Sequence, residues 1–345
     1  MNSKLLFLFP DRANPRLTEV KKGLVPSDRL YGLFELRNLG WDAEISDSRW
    51  EGRAGHLRRN LKRICELPCP TTIRNMRKSD IIIVKDDFSA TLLTEARLLG
   101  KPLIYLDAMF DIPLRRHRRM AIAYNLKYAS AVCCYSMQQA LQWAEAFELP
   151  ISRFDVMPYC IDTNFYPEHI KKPKKRNYVF AVGRDLGRDF DTLFSACEKL
   201  GVALKLVTLP YLAPQKALSS NLVQVFQNIT YTQLFELYSN SAMAVIPLKQ
   251  GTSHLSGIRA LLESSALGIP TVATKTPVLS EYLQDKKHVR YTTSTSIDAM
   301  ADEIQSILDD PFEAEEMALR ASIKVRTKFK MQQFTRMLEK VITRI

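Results

Sequence analysis

Two stretches of the chain carry residue types suited to binding an anion. In the first, Val182 is followed by Gly183, Arg184, Asp185, Leu186, Gly187 and Arg188. Glycine lets the backbone turn sharply, and two arginines four residues apart can bring planar, multi-donor groups onto one diphosphate. In the second, Gly251 to Gly257 stand between an apolar run, Ala242 to Pro247, and a helical spacing of Ile258, Leu261, Leu262, Ser265 and Ala266. A strand handing over to a helix N-terminus there offers backbone amides and the positive end of the helix dipole to a phosphate. Glu263 lies about a turn and a half into that helix. Its carboxylate could accept two hydroxyl hydrogen bonds from a sugar or a ribose, or simply face solvent as a helix glutamate does.

Positioning these residues takes an alternation of strands and helices. Apolar runs predict strands over residues 5–9, 80–84, 102–106, 130–134 and 154–158, with helices over 30–39 and 90–99 and one ending near Leu141. After Tyr166 to Arg176, which has two prolines and five Lys/Arg, the alternation restarts. Strands are predicted over 178–182, 204–207, 222–226, 242–247 and 271–274, and helices over 191–200 and 234–239 and after Gly257. Gly268 and Pro270 end that last helix. A single long helix is expected from about Glu313 to Ile345. The pattern is α/β, two parallel sheets covered by helices, with a cleft between two domains. The boundaries read as 1–165, an exposed linker over 166–176, and 177–329.

The chain of 345 residues is long enough for two cores, and 46% hydrophobic with 25% charged residues is a globular composition. Residues 4–10 are too short an apolar run for a signal peptide, and no segment approaches the ~20 apolar residues of a membrane span, so a cytoplasmic location is expected. Six scattered cysteines make neither a disulfide framework nor a zinc set, and five separated histidines add no metal ligands. The formal charge of +12 suits nucleic acid, an anionic membrane or an acidic substrate.

Leu262 to Thr274 (Leu-Glu-Ser-Ser-Ala-Leu-Gly-Ile-Pro-Thr-Val-Ala-Thr) resembles the nucleotide-binding segment of glycosyltransferases of the GT-B fold, family 4, also called glycosyl transferases group 1. The resemblance implies two Rossmann-like domains facing each other across a cleft, the final helix (330–345) returning to the first. It implies a metal-independent enzyme with no cofactor that takes a UDP- or GDP-linked sugar as donor and retains configuration at the anomeric carbon. Glu263 matches the second of two family glutamates and would hold the donor ribose. The first falls on Leu255, so a sugar contact there must come from elsewhere, for which His254 is a candidate. Arg184 matches the family arginine, and Arg188 stands in for its lysine one residue closer. As loop residues both are expected to bury little area. Gly183, Ser253, Ser256 and Gly257 would line the diphosphate. Val156 to Pro167 resembles the family hinge, with Tyr159 and Cys160 replacing Asn and Gly. Thr230 and Tyr231 would border the base, or be a helix cap and a surface tyrosine. Asp107, where the family commonly has histidine, would be a general base or a turn residue.

Between Arg49 and Lys78 there are nine Lys/Arg against two Glu, and Arg115 to Arg119 repeat the basic cluster. With Leu57, Leu61 and Ile64 on one helical face, this predicts docking on an anionic membrane and a glycan or lipid-linked acceptor. No nucleic acid partner is expected. The alternatives are a basic nucleic-acid-binding or non-catalytic protein of the same fold, or a nucleotide-sugar epimerase.

Overall fold

Leu5 to Phe9 are all buried and form most of β1 (Lys4–Phe9) in the computed structural model. The structure describes residues 3–10, 12–48, 70–85, 90–106, 116–168, 177–251, 255–293 and 295–345. They divide into two units, Met1–Pro158 with Met331–Ile345, and Tyr159–Lys330.

In the first unit, α1 (Ala13–Lys21) and α2 (Leu33–Asn38) precede β2 (Asp42–Asp47), and α3 (Pro70–Lys78) precedes β3 (Ile81–Lys85). The chain continues through α4 (Ala90–Leu98), β4 (Leu103–Leu106), α5 (Arg116–Tyr128), β5 (Ala131–Cys134), α6 (Met137–Phe147) and β6 (Phe154–Val156). The six strands form a parallel sheet in the order β2-β1-β3-β4-β5-β6. β3, β4 and β5 are buried along their whole length, because a parallel sheet covered on both faces selects continuous apolar runs rather than alternation.

The second unit repeats the plan. β7 (Tyr178–Val182), α7 (Phe190–Leu200), β8 (Ala203–Val207), β9 (Val223–Phe226), α8 (Tyr231–Ser239), β10 (Met243–Ile246), α9 (Ile258–Ala266) and β11 (Thr271–Thr274) follow in order. Then come α10 (Pro277–Tyr282), β12 (Arg290–Thr292), α11 (Ile297–Asp309) and α12 (Pro311–Lys328). This sheet is parallel in the order β12-β11-β10-β7-β8-β9. The core between sheet and helices gathers Phe190, Leu193 and Phe194 of α7 with Met300 and Ile304 of α11.

Three expectations are corrected. The long C-terminal helix is two, α12 and α13 (Met331–Arg344), because the chain breaks at Phe329 and Lys330. Ile161 N donates to Phe329 O at 2.9 Å, and Lys330 forms a bridge with Ile161. The helix expected over 30–39 is confined to Leu33–Asn38, since Tyr31 and Gly32 both take left-handed conformations (φ 52° and 87°). Tyr166, the first residue of the supposed exposed linker, is 1% exposed, and residues 159–166 belong to the second unit.

Candidate functional site

After β7 the chain builds β8 and β9 to one side, then returns to the other side of β7 for β10. The β7–β10 pair is therefore a topological switch point, where sheets of this class leave a crevice at the carboxyl ends of the strands. Both stretches expected to bind an anion emerge there, one after Val182 of β7 and one after Ile246 of β10. They are tied together by backbone bonds, Asp189 N to Pro247 O at 3.1 Å and Lys249 N to Gly187 O at 2.9 Å. Ser256 Oγ adds a third tie by donating to Asp185 Oδ1.

Within the first loop the two arginines differ. Arg184 is exposed. Arg188, contrary to expectation, is 7% exposed and lies across Gly183, where an added Cβ would stand 2.3 Å from Nε. Glycine is needed at 183 for the space its missing side chain leaves. Arg188 Nε donates to Asp185 Oδ2 at 2.9 Å, whereas the buried Nη1 has no hydrogen-bond partner among the described residues. Burial would push the Asp185 carboxyl up, but the Arg188 charge and hydrogen bonds from Ser256, Arg188 and the Gly187 amide outweigh it and hold the group below the usual range. The Asp185 carboxylate is thus held ionised beside the guanidinium, which keeps one donor, Nη1, left over.

The second loop ends at Gly257, whose φ of 87° suits glycine and whose added Cβ would stand 3.0 Å from Ile246 Cγ2. Among the described residues no side chain caps α9, whose first amide, Ile258 N, donates to Leu255 O at a long 3.5 Å. Leu255 and Ser256 are buried at 8% and 3% exposure. Ser253, His254 and Asp107 lie outside the described residues, as do the stretch 49–69 and Arg115.

Glu263 is not a solvated glutamate, being 5% exposed. Its Oε1 accepts from Tyr166 Oη at 2.7 Å and from Arg259 Nε at 2.8 Å. Arg259 donates further through Nη1 to Tyr159 Oη at 2.8 Å, and through Nη2 to Tyr231 Oη at 3.3 Å and Tyr166 Oη at 3.5 Å. Tyr231 packs with Phe165, Tyr166 and Phe235, so it is no isolated surface tyrosine. Thr230 is the N-cap of α8, accepting from Gln233 N at 3.3 Å in a capping box. Arg259, Tyr159 and Tyr166 escaped the sequence reading as site residues. The available signal was a basic residue in the first turn of a helix, where the dipole disfavours it, four positions before Glu263.

Among the described residues no group of three His, Cys, Asp or Glu is placed to hold a metal ion. Residues 162–325 match the family described as Glycosyl transferases group 1. The chain has the GT-B fold, and its residues 162–325 are similar to glycosyl transferases group 1. Solved structures of similar fold include Anabaena HepE in complex with UDP, at 15% identity over 99% of this chain and 100% of that one, with a TM-score of 0.69. Sucrose-phosphate synthase from Thermosynechococcus elongatus is 15% identical over 99% and 98%, with a TM-score of 0.74. A glycosyltransferase from Rickettsia africae is 13% identical over 99% and 98%, with a TM-score of 0.72. A search of curated protein sequences finds no match. Among the described residues no helix is long and apolar enough to cross a membrane.

Proposed function

We propose that the second unit binds a UDP- or GDP-linked sugar and that the enzyme transfers the sugar to an acceptor hydroxyl with retention at the anomeric carbon. The observation that carries this reading is the buried, unpartnered Nη1 of Arg188, joined through Asp185 to Ser256 just before the uncapped start of α9 at the switch point. A cationic donor left without a partner is costly unless a ligand supplies one, and the leaving diphosphate is the ligand whose charge grows during transfer. Arg188, Arg184, the Gly183 backbone and the amides from Ser253 to Gly257 stabilise that charge without a divalent metal. Glu263 accepts from the ribose hydroxyls, and Tyr231 with Thr230 borders the base. Contacts to the donor sugar are assigned to His254 and Leu255. Anabaena HepE is described with UDP, with UDP and glucose, and with UDP-glucose, which supports a nucleotide sugar as donor. The test is release of nucleoside diphosphate from a panel of UDP- and GDP-sugars in the presence of glycan and glycolipid acceptors. One donor should be turned over by the wild type and slowed severely in Arg188→Lys; no release from any donor would contradict the reading. If NMR finds the product inverted, Asp107 becomes the general base and retention is wrong.

For the acceptor, the first unit is proposed to dock on an anionic membrane surface at the cytoplasmic face and to take a lipid-linked substrate. It holds 28 Lys/Arg against 19 Asp/Glu, whereas the second unit holds 21 against 18, so most of the excess charge lies in the first. α5 exposes Arg116 and Arg118 beside Met120, which is 65% exposed. Basic residues near an anionic leaflet contribute about 1 kcal/mol each. Co-sedimentation should rise with the phosphatidylserine content of vesicles and fall in Arg116→Glu with Arg118→Glu. Equal sedimentation with neutral and anionic vesicles would leave a soluble acceptor as the better reading.

A further inference from the structure

Arg259 stands where helix energetics oppose it. It is the second residue of α9, at the positive end of the dipole, and it precedes its acidic partner by four residues, the less favourable order for such a pair. A pair placed this way contributes little to the helix, so its geometry calls for another cause. The guanidinium is drawn inward by Tyr159, Tyr166 and Tyr231 together with Glu263, and its side chain is 24% exposed.

The distribution of bonds on Glu263 gives the cause. Both protein donors, Tyr166 Oη and Arg259 Nε, land on Oε1, and among the described residues none lands on Oε2. Tyr166 Oη also accepts from Arg259, so the three groups close a triangle around a single carboxylate oxygen. An ionised carboxylate can accept about four hydrogen bonds, two on each oxygen. One oxygen is thus committed to the protein and the other is presented in a fixed direction with its capacity intact.

We propose that Arg259 and Tyr166 are positioning residues that lock the Glu263 carboxylate so that Oε2 receives the two vicinal hydroxyls of a ribose, with Tyr159 and Tyr231 holding the Arg259 guanidinium in place. The inference rests on the reading of Glu263 as the ribose acceptor and extends it to the residues that aim it. Its consequence is discrimination between ribose and 2′-deoxyribose. A carboxylate fixed on two donors cannot swing to recover a lost hydroxyl bond, whereas one released from them can.

The experiment measures binding of UDP, GDP, their 2′-deoxy counterparts and inorganic pyrophosphate to the full chain by calorimetry. Tyr166→Phe keeps the ring that packs on Phe165, Tyr231 and Phe235 and removes only the hydroxyl, so it folds. Arg259→Lys keeps charge but loses the fork. For whichever ribonucleotide the wild type binds, each variant should lose about fivefold or more in affinity. Each should also narrow the ratio of ribo- to deoxynucleotide affinity and leave pyrophosphate affinity unchanged. Glu263→Gln separates the two levels. If it leaves the ribo/deoxy ratio at the wild-type value, Glu263 does not hold the ribose. If it collapses the ratio while Tyr166→Phe leaves it intact, the ribose reading stands and the positioning role is wrong. A matching loss of pyrophosphate affinity in Tyr166→Phe would also overturn the proposal, since it would mean a general disturbance of the site.

Discussion

Gly183→Ala isolates the contribution of Arg188 without touching the arginine. Gly183 does not have a left-handed φ, so alanine meets no backbone penalty there, and the whole effect comes from the new methyl group. That methyl would lie 2.3, 2.7 and 2.9 Å from Nε, Cζ and Cδ of Arg188, well inside contact distance. The guanidinium must move, which breaks its 2.9 Å bond to Asp185 and carries Nη1 away from the position proposed for the diphosphate. Hydrogen bonds to charged groups are worth about 1.5–3 kcal/mol, so nucleoside diphosphate affinity should fall about ten- to a hundredfold. Folding stability should fall as well, by about 1–3 kcal/mol, because Asp185 keeps its burial and loses its cation. Calorimetric titration with UDP and GDP, paired with urea unfolding, reads both quantities. Unchanged affinity alongside the expected loss of stability would confine Arg188 to a structural role and refute its place at the diphosphate.

Arg184→Ala should weaken the same binding with little change in unfolding midpoint, within about 0.5 kcal/mol, because this arginine is exposed; a large stability loss would contradict that placement. Gly257→Ala should destabilise by about 1–3 kcal/mol, since φ is 87° and the new Cβ would press on Ile246, and differential scanning calorimetry would reveal it. His288 is pushed down to about 4 by burial and then by Lys324, Lys287 and Arg320. The unfolded chain takes up that proton near pH 6.5 and the native state only near pH 4, so its contribution is complete above about 6.5 and is lost as pH falls toward 4. Thermal midpoints of His288→Asn should therefore decline less steeply across that window than those of the wild type; parallel curves would sink the assignment.

The sequence carried the strands because each is an apolar run that a doubly covered sheet demands, as in Ile81 to Val84 or Met243 to Ile246. It missed β2, whose residues Asp42 to Asp47 are mostly polar, because β2 is an edge strand paired with β1 alone and has less need of apolar residues. The break at Phe329 and Lys330 was illegible because neither glycine nor proline marks it, and its cause, the pairing with Ile161, lies 168 to 169 residues away in the chain. The site divides the same way. Gly183, Gly257 and Glu263 sit in contiguous stretches whose chemistry is local. The burial of Arg188 depends on the space over Gly183, and the tyrosines around Arg259 come from positions 159, 166 and 231, which only folding brings together.

The central claim, that the second unit is built to hold a nucleoside diphosphate, is tested most directly by the thermal midpoint of the full chain in the presence of UDP, GDP, ADP or CMP. A ligand bound only by the folded state raises that midpoint in proportion to its affinity. UDP or GDP should raise it, and the rise should shrink in both Gly183→Ala and Glu263→Gln. No rise with either diphosphate at millimolar concentration, or a rise that both variants retain in full, would contradict the account.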